Sequence, residues 1–336
     1  MPGVINVHGH LVALQIDHPV VARPAVRLLR SLADEDAPFR PTIFGEVLDY
    51  DADDVTRRLS DDARPVRPGE SAFHPLTELF RTDSGDRWYV VDERWGIAEV
   101  DLIRGSWRSF VLRNPSLEAV RLFEAAVWWP MAQLLRSKGL HLLPASSFVI
   151  GRHGDRRGAL LLGPTDVVPE VSAWVARGAR IISQRWTALR LERGGDTSLL
   201  SMPGMTPVRD AHRPLMRGDA DDADSAWIDL CPQPAATCRC DTILIADGPR
   251  RRRASMIPLS PKEGEILLRQ HWPIPHLGNV TNALPQHLAR LSPIHRVRLD
   301  RRGEGFAHLM LGEPMGPTSR QPNVATPPAS PRARAA

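Results

Sequence analysis

Residues 163–170 have the spacing of a phosphate-binding loop but little of its chemistry. A functional loop of this kind reads G-x-x-x-x-G-K-[ST]. Its glycines let backbone N–H groups surround the phosphates, its lysine neutralises charge, and its hydroxyl binds magnesium. In this register only the first glycine is present. The residues at the motif positions are Gly163, Pro164, Thr165, Asp166, Val167, Val168, Pro169 and Glu170.

Each departure from the motif works against an anionic ligand. Val168 stands at the second glycine and crowds the approach of a phosphate. Pro169 stands at the lysine, which removes both a cation and an N–H donor. Glu170 stands at the hydroxyl and, with Asp166, adds negative charge. Like charges 4 Å apart repel by about 1 kcal/mol even in water. The loop therefore predicts poor binding of a nucleotide triphosphate.

The charge of the chain is concentrated in two places. The net charge is +4 over 336 residues, but Arg250–Arg253 contribute +4 and three arginines after Gly316 contribute +3, which leaves −3 for the rest. This distribution does not predict a nucleic-acid groove, which needs a continuous basic surface with stacking aromatics. The only lysines are Lys138 and Lys262, and neither lies in a glycine-rich turn.

Other bulk features predict a cytoplasmic protein of about two domains. The sequence has no apolar run long enough for a membrane span, and its first residues lack the pattern of a secretory signal. A homo-oligomer is compatible with the sequence, which does not define the oligomeric state.

His8-Gly9-His10 has the His-x-His spacing with which metal-dependent hydrolases bind a metal at the end of a strand. The later His, Lys and Asp ligands of such enzymes are missing from this chain. An ordinary turn is therefore the favoured interpretation, and a metal hydrolase that uses His8 and His10 is kept as the weakest alternative.

The elements around the loop predict an α/β fold. Gly158–Gly163 is a continuous apolar run, as expected of a strand buried on both faces. Pro169–Arg177 reads as a helix and Ala179–Ile182 as the next strand, which together form a βαβ unit. A longer helix is predicted after Pro115, with a kink at Pro130.

From about Val127 to Met310 the chain resembles the C-terminal domain of HPr kinase/phosphorylase and its P-loop serine-kinase relatives. Several segments carry the resemblance in the same order: Lys138-Gly139-Leu140, Leu142-Leu143-Pro144-Ala145-Ser146, Gly163-Pro164-Thr165, Ala176–Ser183 and Leu259–Glu263. The resemblance implies a P-loop kinase-like domain at 126–315. A smaller α+β module at 1–125 precedes it, and a disordered tail rich in Pro, Ala and Arg follows at 316–336.

The family's site residues are also changed here. Its Leu-His-Ala-Ser motif has Pro144 at the histidine position. Its Asp-Asp pair, which serves as base and magnesium partner, is replaced by Gln184 and Arg185. Cation, magnesium hydroxyl and acidic pair are thus altered together, which predicts a kinase fold without kinase activity.

The expected function is that of a pseudokinase or scaffold that binds a protein or peptide partner, with no catalytic residues, metal or cofactor. The alternative is an active serine kinase that uses ATP and magnesium, as the resemblance implies. It would need a nonstandard cation, for which the candidates are Arg185, Arg177 and Arg250–Arg253.

Overall fold

The amino terminus folds as a β-hairpin, with an ordinary turn at His8 and Gly9 as the sequence predicts. In the computed structural model, β1 (Pro2–Val7) and β2 (His10–Ile16) pair antiparallel around His8 and Gly9. Both turn residues have positive φ, 52° and 94°, as a two-residue hairpin turn requires. The structure describes residues 2–33, 40–51, 55–66, 77–150, 157–163, 173–174, 177, 179–203, 206–207, 227–228, 237–246, 248, 251–271, 284–301 and 304–311.

The hairpin continues into a larger sheet, the N-terminal sheet. Its other strands are β3 (Ile43–Tyr50), β4 (Ala63–Pro65), β5 (Glu78–Thr82), β6 (Arg87–Asp92), β7 (Gly96–Asp101) and β8 (Ser106–Leu112). Within the described residues the order is β1-β2-β3-β8-β7-β6-β5-β4. β2, β3 and β8 run parallel, and the remaining neighbours are antiparallel. Helix α1 (Pro19–Leu29) joins β2 to β3 and buries its apolar stripe against the sheet.

The long predicted helix is present and consists of three parts, which are α2 (Ala119–Phe123), a π-turn (Glu124–Trp128) and α3 (Trp129–Ser137). The π-turn ends two residues before Pro130, where the sequence predicts a kink. Because proline has no N–H, the carbonyl of Ala126 loses its helical donor. It accepts hydrogen bonds from Trp107 Nε1 at 3.2 Å and Ser109 Oγ at 2.6 Å instead, both from β8.

This helical segment packs between the N-terminal sheet and the strands that follow it. One apolar cluster contains inner-face residues of β2, β3 and β8, most of α3, and Leu140, Leu142, Trp186 and Ala188 beyond it. Residue 125, where the sequence analysis places a domain boundary, lies inside the π-turn. The division into 1–125 and 126–315 stays a prediction.

The second large sheet, the C-terminal sheet, is built from later strands. They are β9 (Leu140–Ile150), β10 (Arg157–Leu162), β11 (Arg180–Ser183), β12 (Trp186–Leu191), β13 (Thr197–Leu200), β16 (Cys238–Ala246), β17 (Ser255–Pro258) and β18 (Ile294–Arg298). Two short strands, β14 (Thr206–Pro207) and β15 (Trp227–Ile228), pair with each other. β9 pairs with β12 in its first half and with β10 in its second half. β16 pairs with β13 at its start and with β10 further along. The five strands β10, β9, β12, β13 and β16 therefore form a closed ring.

The predicted strand Gly158–Gly163 corresponds to β10, and the predicted strand Ala179–Ile182 corresponds to β11. Both pair antiparallel with β9, one on each side, so β10 and β11 run parallel with β9 between them. β10 is also parallel to β16, and β16 to β18. The predicted helix between β10 and β11 lies largely outside the described residues.

Helices cover both faces of the C-terminal sheet. α4 (Pro261–His271) and α5 (Leu284–Leu291) pack on one face, and α6 (Glu304–Leu311) packs on the other. Leu160 and Leu161 of β10 enter the two different cores, which confirms a strand buried on both sides. At the start of α4, the N–H of Ser260 donates to Glu263 Oε2 at 3.1 Å in a capping box.

The chain is therefore a mixed α/β protein with two large sheets. In the part of the chain that the structure describes, no helix is long and apolar enough to cross a membrane. The tail predicted at 316–336 lies outside the described residues.

Candidate functional site

The carboxyl ends of β10, β16 and β18 meet at one edge of the C-terminal sheet, because these three strands are parallel neighbours. In open α/β sheets, ligands bind in the crevice outside this edge. Gly163 follows β10 there, beside Ala246 at the end of β16. Gly163, the first position of the predicted loop, therefore lies at this edge of the sheet.

The backbone itself requires glycine at position 163. Gly163 has φ of 109°, and an added Cβ would lie 2.6 Å from the carbonyl oxygen of Ala246. A side chain there would meet both backbone strain and a direct clash. The other predicted loop positions lie outside the described residues, namely Pro164, Thr165, Asp166, Val168, Pro169 and Glu170.

Exposed arginines lie near the same edge. Arg251 forms a parallel bridge with Asp300, and its N–H donates to the carbonyl of Leu299 at 2.9 Å. Asp300 in turn accepts the N–H of Phe306 at 3.0 Å and so fixes the start of α6. The side chains of Arg251, Arg252 and Arg253 are exposed. Of the cluster 250–253, these three are described and can face a ligand at this edge.

Gln184 and Arg185, which the resemblance predicts to stand at the acidic-pair position, both make buried contacts. Gln184 is buried, and its main-chain carbonyl accepts a hydrogen bond from the Ser146 hydroxyl. Arg185 donates from Nε and Nη2 to the two carboxylate oxygens of Glu124, each at 2.6 Å. The two side chains are only 7% and 11% exposed, so this is a buried bidentate ion pair.

The ion pair with Glu124 argues against Arg185 as the cation that replaces the missing lysine. Its charge is neutralised by Glu124, and removing one partner of such a pair costs about 3–5 kcal/mol. Arg121 lies 3.7 Å from the same carboxylate. Burial, with the neighbouring charge of Arg185 as the second cause, lowers the pKa of Arg121.

The hydroxyl groups next to Pro144 are used within the core. Pro144 is an exposed residue of β9 that pairs with Trp186. Thr187 Oγ1 donates to the carbonyl of Ala145 at 3.0 Å, and Ser183 Oγ accepts the N–H of Met202 at 2.6 Å. These buried hydroxyls are bonded to the main chain. This arrangement is typical of structural hydroxyls rather than of nucleophiles.

The His-Gly-His turn docks on the C-terminal sheet. His8 Nε2 lies 2.6 Å from the carbonyl oxygen of Ser201, and the Arg190 guanidinium donates to the carbonyl of His8. Burial is the main cause that lowers the pKa of both His8 and His10, and the charge of Arg190 lowers both further. Among the described residues, no group of three or more His, Cys, Asp or Glu could hold a metal ion. The metal-hydrolase alternative therefore finds no third ligand within them.

Sequence reasoning missed two features of these sites. Glu124 is separated by 61 residues from Arg185, and no local pattern connects them. Lys138 and Arg190 lie near the turn at His8 and His10, because α3 ends at the junction of the two sheets. The only available signal was that one of the two lysines of the chain stands where α3 ends and β9 begins.

The fold places this chain in the class of mixed α/β proteins with a partly parallel sheet. No protein-family model matches the chain, and no curated protein matches it. Among solved structures, the HPr(Ser) kinase/phosphatase from Coxiella burnetii is similar at 12% sequence identity with a TM-score of 0.28. The match covers 51% of this chain and 93% of that one.

Proposed function

We propose that this protein is a pseudokinase, an HPr kinase-like domain that binds a protein or peptide partner without transferring phosphate. The observation that carries the proposal is the role of Gln184 and Arg185. Gln184 is buried and its main-chain carbonyl accepts a hydrogen bond from the Ser146 hydroxyl, and Arg185 is neutralised by Glu124. The carboxylates that would orient a hydroxyl and hold magnesium are thus replaced by groups that stabilise the fold.

The outer face of the N-terminal sheet offers a surface for such a partner. A groove of about 570 Å³ runs over β1, β2, β3 and β8. Phe44 is 49% exposed at this groove, and Arg108 Nε lies 2.8 Å from Glu46 Oε2 beside it. An apolar ring next to charged groups is a combination that suits a peptide segment.

Calorimetric titration with ATP and magnesium, followed by a phosphotransfer assay with labelled ATP, tests the proposal. We expect no transfer to the protein or to candidate peptides. Transfer that depends on magnesium and exceeds that of a heat-denatured control would contradict the proposal.

A second candidate function is an active serine kinase with an arginine in place of the missing lysine. The exposed Arg251, Arg252 and Arg253 favour it, because they lie at the carboxyl edge next to Asp300. Replacing all three by Gln would abolish transfer if this function is correct. Arg64→Gln, at a residue 62% exposed in the N-terminal module, is the matched control.

A further inference from the structure

The junction between the β1–β2 turn and the C-terminal sheet gathers basic groups from three separate elements. His8 and His10 come from the β1–β2 hairpin, Lys138 from the end of α3, and Arg190 from β12. The connections are direct. Arg190 pairs in register with Leu140, which follows Lys138 by two residues, and its guanidinium donates to the His8 carbonyl.

The charges acting on this cluster are of one sign. Arg190, Lys138 and His8 all act on the His10 imidazole to disfavour its protonation, and Arg190 acts likewise on His8. Among the described residues, no carboxylate forms an ion pair with His8, His10, Lys138 or Arg190. Elsewhere in the described chain the basic side chains commonly have acidic partners, as Arg185 has Glu124 and Arg94 has Asp92.

Donor groups remain at this junction for a ligand. His10 is partly buried and Lys138 is exposed, so the cluster opens to solvent on the lysine side. The Arg190 guanidinium has five N–H donors. Its Nη2 group donates to the His8 carbonyl, and in the described part of the chain Nε and Nη1 are left for a ligand. Two permanent positive charges and an imidazole N–H match a doubly charged oxyanion better than a single carboxylate.

We propose that His10, Lys138 and Arg190 form a binding site for a phosphate group, either free or carried as a monoester on a small molecule. The site is separate from the carboxyl edge of β10 and does not depend on the proposed function. A ligand here bridges the turn of the N-terminal sheet and the C-terminal sheet, so its binding stabilises their junction.

Titration of the full-length protein with inorganic phosphate tests the site, with chloride at matched ionic strength as a blank and acetate as the single-charge comparison. We expect saturable phosphate binding and much weaker acetate binding. Lys138→Gln should weaken phosphate binding about tenfold. The control is Lys262→Gln. Lys262 is the other lysine of the chain and is exposed on α4, so this substitution should leave phosphate binding unchanged. A small monoester in place of free phosphate shows which source the site prefers.

A second readout separates a specific site from general charge effects. A bound anion offsets the charges of Lys138 and Arg190, so phosphate should raise the pKa of His10 toward its ordinary value of 6.5. Imidazole NMR signals followed through a pH titration measure this shift. Absence of saturable binding, equal effects of the two lysine substitutions, or a His10 titration unmoved by phosphate would each overturn the proposal.

The same variants show where any nucleotide binds. If ATP binds and Lys138→Gln abolishes that binding, the nucleotide occupies the junction and the pseudokinase proposal stands. If ATP binds equally well to Lys138→Gln, it occupies another site, and the junction is then judged on inorganic phosphate alone.

Discussion

The hydroxyl of Ser109 donates a 2.6 Å hydrogen bond to the carbonyl oxygen of Ala126, deep between β8 and the π-turn. This carbonyl needs an outside donor because Pro130 cannot supply the helical N–H. Ser109→Ala should therefore lower the free energy of unfolding by about 1–2 kcal/mol, measured by urea denaturation.

A control for this prediction is to repeat Ser109→Ala in a protein that lacks Pro130. The substitution Pro130→Ala restores a backbone N–H that can donate to the Ala126 carbonyl, so in that background the loss from Ser109→Ala should be smaller. Equal losses in the two backgrounds would show that the proline does not create the need for Ser109.

The Glu124–Arg185 pair should be among the costliest polar interactions to break. Glu124→Gln leaves the Arg185 charge buried without a full partner, and we expect a loss of about 3 kcal/mol or more in unfolding free energy. Glu46→Gln breaks the exposed pair with Arg108, whose side chains are 41% and 60% exposed, and should cost less than about 1 kcal/mol. Similar losses for the two variants would contradict a structural role for the buried pair.

Gly163 should tolerate no side chain, whether or not the loop binds anything. Gly163→Ala combines positive φ with the 2.6 Å approach to the Ala246 carbonyl, and should cost about 2 kcal/mol or more. Gly248→Ala is the control, since Gly248 has φ of 72° but open space at its Cβ position. This variant should show only the effect of backbone strain. If both variants unfold at the same denaturant concentration, the approach of β10 to β16 is looser than the structure shows.

Stability should fall on mild acidification because of partly buried histidines whose pKa values are lowered. Burial, followed by the charge of Arg136, lowers the pKa of His141 to about 4 from its ordinary value of 6.5. Below pH 6.5, His141 binds a proton in the unfolded chain but stays neutral in the folded chain. The stabilisation present above pH 6.5 is therefore lost as the pH falls toward 4. His141 alone contributes at most about 3 kcal/mol to this loss.

Urea denaturation at a series of pH values measures this effect. His141→Gln should reduce the loss of unfolding free energy between pH 6.5 and 4. Part of the loss should remain, because the pKa values of His8 and His10 are also lowered. An unchanged pH profile in His141→Gln would assign the acid sensitivity to other groups.

Local patterns predicted most of the elements around the candidate site. The turn at His8 and Gly9, the long helix after Pro115 with its irregularity near Pro130, and the apolar strand β10 all follow from short-range spacing. Such features depend on residues within a few positions of one another, so a single sequence contains the information that specifies them.

Residue identities and their local spacing were thus enough to predict the α/β class and to show that Val, Pro and Glu stand at positions 168–170, because identity alone decides whether a charge or donor exists. The contacts of Gln184 and Arg185 became visible only in the folded chain. Folding joined Arg185 to Glu124 across 61 residues, inserted β9 between β10 and β11, and brought Lys138 and Arg190 to His10. These contacts arise from the packing of two sheets on one helical segment, and no local spacing records which distant side chains that packing brings together.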